Sequence, residues 1–149
     1  MKKKFLLCAC LCWGFLAALW PLDPVRQKII DAARQYVGVP YVYGAASPSG
    51  FDCSGFVGYV YNAAAGISLP RTSKNIWASG ETVRTAAAQP GDLIVFDTVG
   101  GAPSHVAILL DDETMIHAVS QGPRTGVIIS PVQDRYFAPR IMGMRSFIG

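Results

Sequence analysis

Cys53, His105 and His117 carry the nucleophilic and acid–base chemistry available in the body of this 149-residue chain. Cys53 follows Gly50-Phe51-Asp52 and opens a segment, Cys53 to about Ala65, with Phe56, Val57, Val60 and Tyr61 on one side of a helix. The thiolate, not the thiol, is the nucleophile. A helix start presents unpaired amides and the positive end of the macrodipole. Both lower a thiol pKa, and the amides can hold an oxyanion. The competing reading is a small buried apolar residue, which is what most free cysteines are. Asp52 constrains the choice. A carboxylate aimed at the sulfur would raise the thiol pKa, so Asp52 must point away or cap the helix.

His105 opens one β-rich run, Val106 to Leu110, and His117 lies inside another, Met115 to Val119. Asp111-Asp112-Glu113 forms a turn between them. A hairpin joined there brings both imidazoles to one face. His105 can then act as general base toward Cys53, and His117 can accept from its other ring nitrogen and fix the tautomer. The same three residues could hold zinc with an open position, but there is no Cys-x-x-Cys and no His-Glu-x-x-His pair. No metal or other cofactor is expected. The other cysteines, Cys8, Cys10 and Cys12, sit in the first dozen residues. A disulfide framework or a thioredoxin-type redox pair within the domain is therefore excluded.

These residues need elements to position them. Asp23-Pro24 is a helix start, a capping acceptor followed by proline at the first helical position. Val25, Ile29, Ile30, Ala33 and Val37 recur at helical spacing up to Gly38. Val39 to Asp52 reads as a loop, and a short helix is expected around Lys74 to Ala78. Beyond Gly80 the period changes to strands at Leu93–Phe96, Val106–Leu110, Met115–Val119, Val127–Ile129 and Ile141–Phe147. Helices first and consecutive strands after argue for an α+β fold with an antiparallel sheet.

The length suits one domain, placed at 21–149, and 51% hydrophobic residues give it a core without disulfides. The formal charge of +3 belongs to Lys2-Lys3-Lys4; without them the remaining 10 basic and 10 acidic residues balance. Nucleic-acid binding loses its electrostatic driving force. The lysines precede 16 uncharged, mostly apolar residues, Phe5 to Trp20. Residues 1–20 therefore read as an export signal or membrane anchor. Leu7-Cys8-Ala9-Cys10 resembles a lipoprotein cleavage box, which would place a lipid or membrane tether at Cys10.

Several segments together resemble the NlpC / p-sixty family of bacterial cell-wall cysteine endopeptidases. They are Val39-Pro40-Tyr41-Val42-Tyr43-Gly44, Phe51-Asp52-Cys53-Ser54-Gly55-Phe56-Val57, Leu69-Pro70-Arg71-Thr72-Ser73, Gln89-Pro90-Gly91-Asp92-Leu93, Ser104-His105-Val106-Ala107-Ile108 and Met115-Ile116-His117-Ala118. The resemblance implies a papain-like fold, with helices packed on an antiparallel sheet. It implies Cys53 as nucleophile, His105 as base, His117 as the orienting residue and Tyr41 as an oxyanion donor. It places Asp52, Ser54 and Ser104 along the substrate groove; Arg71 falls in a family motif, though a helix-edge salt bridge explains it as well. The expected substrate is a peptidoglycan stem peptide, cut at the bond between γ-D-glutamate and a diamino acid in the cell envelope. An acyltransferase or other amidase on the same fold, or a degenerate non-catalytic wall-binding module, are the alternatives.

Overall fold

A computed structural model describes residues 21–149; residues 1–20, read above as an export signal or membrane anchor, and Cys10 with them, lie outside the described residues. Helix α1 spans Pro24–Arg34, and the Asp23 carboxylate caps it by accepting from the Val25 and Arg26 amides at 2.8 and 3.4 Å. The helix ends earlier than the apolar spacing suggests. The amides of Gln35, Tyr36 and Val37 reach back only three residues, which tightens the chain into turns. The Gly38 amide then bonds the Val127 carbonyl at 2.9 Å, and the Val127 amide returns to the Val39 carbonyl at 2.9 Å.

The expected loop contains a two-residue ladder, β1 (Ala46–Ser47) against β2 (Gly50–Phe51), too short to show alternation in sequence. Helix α2 spans Cys53–Ala65 and stops at Gly66, whose φ of 67° is the left-handed conformation glycine adopts freely. Helix α3 covers Ser73–Ser79 under a Thr72 cap.

The sheet has six antiparallel strands: β3 (Glu81–Val83), β4 (Leu93–Phe96), β5 (His105–Leu109), β6 (Thr114–Val119), β7 (Gly126–Pro131) and β8 (Ile141–Ser146), ordered β3-β8-β4-β5-β6-β7. Strand β3 escaped the sequence reading because it carries no apolar run and packs only its last residue inward. Ile29, Ile30 and Ala33 of α1 and Phe56, Val57, Val60 and Tyr61 of α2 bury one face of the sheet against Val106, Ile108, Ile116 and Ala118. Each fully buried valine, isoleucine or phenylalanine among them contributes roughly 1.5–3 kcal/mol. The opposite face carries Ile94, Phe96, Ala107, Leu109, Met115 and Met144, with Phe137 packed against them. Strands β4 and β5 are thus covered on both sides, which explains their unbroken apolar sequences.

One buried ion pair fastens the helices to the sheet. Arg26 Nη1 lies 2.8 Å from Asp92 Oδ1 and donates to the Pro90 carbonyl at 3.1 Å. The second Asp92 oxygen accepts from the Gln89 amide at 2.9 Å, and the Tyr61 hydroxyl donates to the Gly91 carbonyl. The start of β4 is therefore held by both α1 and α2.

Candidate active site

Cys53 is the first residue of α2, and it is buried. Its Sγ lies 3.7 Å from the Ser73 hydroxyl and 3.9 Å from the Ser104 carbonyl oxygen. Burial pushes the thiol pKa up; the Ser73 hydroxyl and the amides of Val106 and Ser54 pull it down, and the Asp52 charge adds to the rise. The net direction is upward, contrary to the lowering expected from a helix start alone. Desolvation of the sulfur outweighs the donors around it. The resting group is a thiol.

Asp52 does what the sequence required of it. Oδ1 caps α2 by accepting from the Gly55 amide at 2.7 Å, and Oδ2 accepts from the Gly44 amide at 3.0 Å. Arg71 clasps both oxygens, Nη1 to Oδ1 at 3.0 Å and Nη2 to Oδ2 at 2.7 Å, and Nη1 also meets the Ser54 hydroxyl at 3.0 Å. The loop carrying Tyr41, the helix start and Arg71 are tied at one carboxylate. Gly55 permits that closeness: a Cβ there would lie 2.2 Å from the Ala45 carbonyl oxygen. Tyr41 is pinned from the other side, by the Phe51 amide bonding the Pro40 carbonyl at 3.1 Å and the Val42 amide bonding the Phe51 carbonyl at 3.0 Å. Burial, with the nearby Cys53 and Asp52 as lesser causes, raises the Tyr41 phenol pKa. It stays protonated and able to donate.

The pairing of Ile108 with Ile116 and Leu109 with Met115 puts His105 and His117 on one face. Their rings meet, His105 Nε2 to His117 Nδ1 at 2.8 Å, and His117 Nε2 lies 3.0 Å from the Ser130 hydroxyl of β7. Phe137 stacks on His105 at 5.3 Å and meets His117 edge-on at 4.7 Å between ring centroids. Burial lowers the His117 pKa to about 4; burial and the neighbouring His117 lower that of His105 to about 3. Both rings are neutral near neutral pH, so His105 has a lone pair to offer.

A cavity of about 770 Å³ opens onto Tyr41, Cys53, Ser104, His105 and Ser130. Among the described residues Arg124 is its one cationic wall residue and Asp134 its one carboxylate. Of the residues expected along the groove, Ser104 lines this cavity, and its hydroxyl also bonds the Thr98 amide at 2.8 Å. Asp52 is turned into its own network. Ser54 and Arg71 border a separate hollow of about 200 Å³. Ser73 closes the quoted Leu69–Ser73 segment but was given no role there, and Arg124, Ser130 and Phe137 were not singled out in the sequence. Of the last three, Ser130, a polar residue directly after the apolar run Val127–Ile129, left a readable mark there. Among the described residues no three His, Cys, Asp or Glu side chains converge as a metal-ligand set.

A cysteine heading a helix packed on an antiparallel sheet, with paired histidines on adjacent strands, defines the papain-like class of α+β proteins. Residues 38–146 match the NlpC/P60 family, and the chain belongs to it. It is similar to a γ-DL-glutamyl hydrolase of Bacillus subtilis (strain 168), 40% identical over 129 residues that make up 84% of this chain and 30% of that protein. Among solved structures it resembles the peptidoglycan hydrolase RipB of Mycobacterium tuberculosis, with a TM-score of 0.67 and 31% identity, covering 87% of this chain and 69% of that one. It also resembles an NLP/P60 family protein of Staphylococcus aureus, described as similar to lipoprotein, with a TM-score of 0.73 and 38% identity over 85% of this chain and 42% of that one. The chain spans about a third of the length of the first curated relatives it matches.

Proposed function

We propose that the chain is a cysteine endopeptidase that hydrolyses peptidoglycan stem peptides in the bacterial cell envelope, through an acyl-enzyme on Cys53. The observation carrying this reading is that Cys53, Tyr41 and His105 open onto one cavity while His117 holds the far nitrogen of His105. The resting pair is neutral, thiol and imidazole. His105 takes the thiol proton as Sγ attacks the amide carbonyl, and the charge on the carbonyl oxygen is met by the Cys53 amide and the Tyr41 hydroxyl. His105 then protonates the leaving amine. Water, deprotonated by His105, releases the acyl group and restores the thiol. A γ-D-glutamyl bond to a diamino acid is the bond proposed. Support comes from a relative named as a γ-DL-glutamyl hydrolase and from Arg124, a cation lining the cavity, as a partner for the free α-carboxylate such a bond leaves. Residues 1–20, as signal or as a lipid tether at Cys10, carry the domain to the envelope.

Digestion of defined muropeptides, followed by mass analysis, tests this. The wild-type protein should release fragments cut after γ-D-glutamate, and Cys53→Ala should release none while unfolding at the wild-type temperature. Binding without cleavage by the wild type would leave a wall-binding module. Transfer products in place of hydrolysis would make it an acyltransferase.

A further inference from the structure

We propose that Ser130 is a positioning residue. Its hydroxyl accepts the Nε2 proton of His117 and thereby holds both imidazoles in the tautomers that leave His105 Nδ1 free to take the thiol proton. The inference rests on the reading of Cys53 and His105 as the reacting pair. A neutral imidazole has one N–H and one lone pair. His105 Nε2 is engaged with His117 Nδ1 at 2.8 Å, so Nδ1 is the nitrogen left for the thiol. If Nδ1 is to be basic, Nε2 must carry the hydrogen and donate it. His117 Nδ1 must then accept, and His117 Nε2 must carry a hydrogen of its own.

That hydrogen has one acceptor among the described residues, Ser130 Oγ at 3.0 Å. His117 is fully buried and Ser130 nearly so, and the aromatic neighbour Phe137 offers the ring no acceptor. Strand pairing fixes the approach. His117 sits opposite Ile128 and Met115 opposite Ser130, so the serine is the diagonal same-face neighbour of the histidine. Polarity decides the outcome. Were the Ser130 hydroxyl to donate, the chain would reverse, His105 Nδ1 would carry a hydrogen, and the thiol would face a donor. The direction in which one hydroxyl engages the end of this two-ring chain thus goes with whether the base is a base. The residue is uncharged, which suits a relay whose rings rest neutral in an apolar shell.

The test combines imidazole nitrogen NMR of the full chain with kinetics on a defined muropeptide. In the wild type, His117 Nε2 and His105 Nε2 should be the protonated nitrogens and both Nδ1 atoms lone pairs. Ser130→Ala should show mixed tautomers at both rings and a kcat lowered about tenfold, the worth of one buried hydrogen bond. KM should stay within about twofold, and Ser130→Thr, which restores a hydroxyl, should recover kcat to within about twofold. Three results overturn the proposal: a lone pair at His117 Nε2 in the wild type, wild-type tautomers and kcat in Ser130→Ala, or a rise in KM with kcat unchanged. The spectra need no substrate. A wild type that cuts no muropeptide sinks the endopeptidase reading, while its spectrum still decides the tautomer.

Discussion

Replacing Asp52 by Asn separates two jobs of one carboxylate. The Oδ1 side caps α2 through the Gly55 amide; the Oδ2 side holds the Gly44 amide and Arg71 Nη2. Asn is as good a cap as Asp, so the helix start survives. Its NH₂, however, faces two donors where Oδ2 faced them. The lost amide-to-carboxylate bond costs about 1.5 kcal/mol. The Arg71 side chain is 47% exposed, so solvent screening holds its ion pair to about 0.5–1 kcal/mol. Asp52→Asn should therefore lose about 2 kcal/mol in urea unfolding, and Asp52→Ala, which forfeits the cap as well, about 3 kcal/mol. The pH dependence supplies a second check. Burial alone would raise the Asp52 pKa, but Arg71 and the Gly55 and Gly44 amides outweigh it and hold it below the usual carboxylate range. A depressed native pKa gives stability that is complete above the unfolded value, near 4, and is lost as pH falls through the native one. The gap between wild type and Asp52→Asn should close as pH drops below about 4. An Asn variant as stable as wild type, or as unstable as Ala, or a gap unchanged at low pH, would refute the reasoning.

Alkylation of Cys53 by iodoacetamide should climb with pH along a limb above the ordinary thiol range near 8.5, because burial keeps the resting sulfur protonated. A plateau already reached by about pH 6 would mean a thiolate–imidazolium pair instead. Arg26→Met leaves the Asp92 carboxylate buried and unpaired, and should cost about 3–5 kcal/mol in denaturant unfolding. Adding Asp92→Asn to it should recover part of that loss; no recovery would mean the methionine itself fits badly.

The parts of the site that depend on residue type and local pattern were legible in the sequence. Asp52-Cys53 before an amphipathic run gave both the cap and the place of Cys53 at a helix start, and the Asp111–Glu113 turn gave the hairpin that pairs the histidines. What depends on a third element was not. Ser130 reaches His117 only through the register of β6 and β7, set by the turn at residues 120–125, where no periodicity speaks. The raised thiol pKa comes from burial of Sγ, which the hydroxyl of Ser73, 20 residues downstream, only partly offsets, and neither effect shows in local sequence. Strand β3 and the β1–β2 ladder were missed because strands of two or three residues are too short to show alternation.

The two backbone bonds between residues 38–39 and Val127 have a further effect. Strand β7 ends the sheet on one side and would present Val127-Ile128-Ile129, an apolar β-branched run, as an open edge. The segment leading to Tyr41 lies along that edge and occupies its first pairing positions. Gly126 allows the approach, since a Cβ there would stand 2.5 Å from the Val39 carbonyl oxygen. The strap that delivers the tyrosine to the cavity also shields the domain from strand-to-strand aggregation.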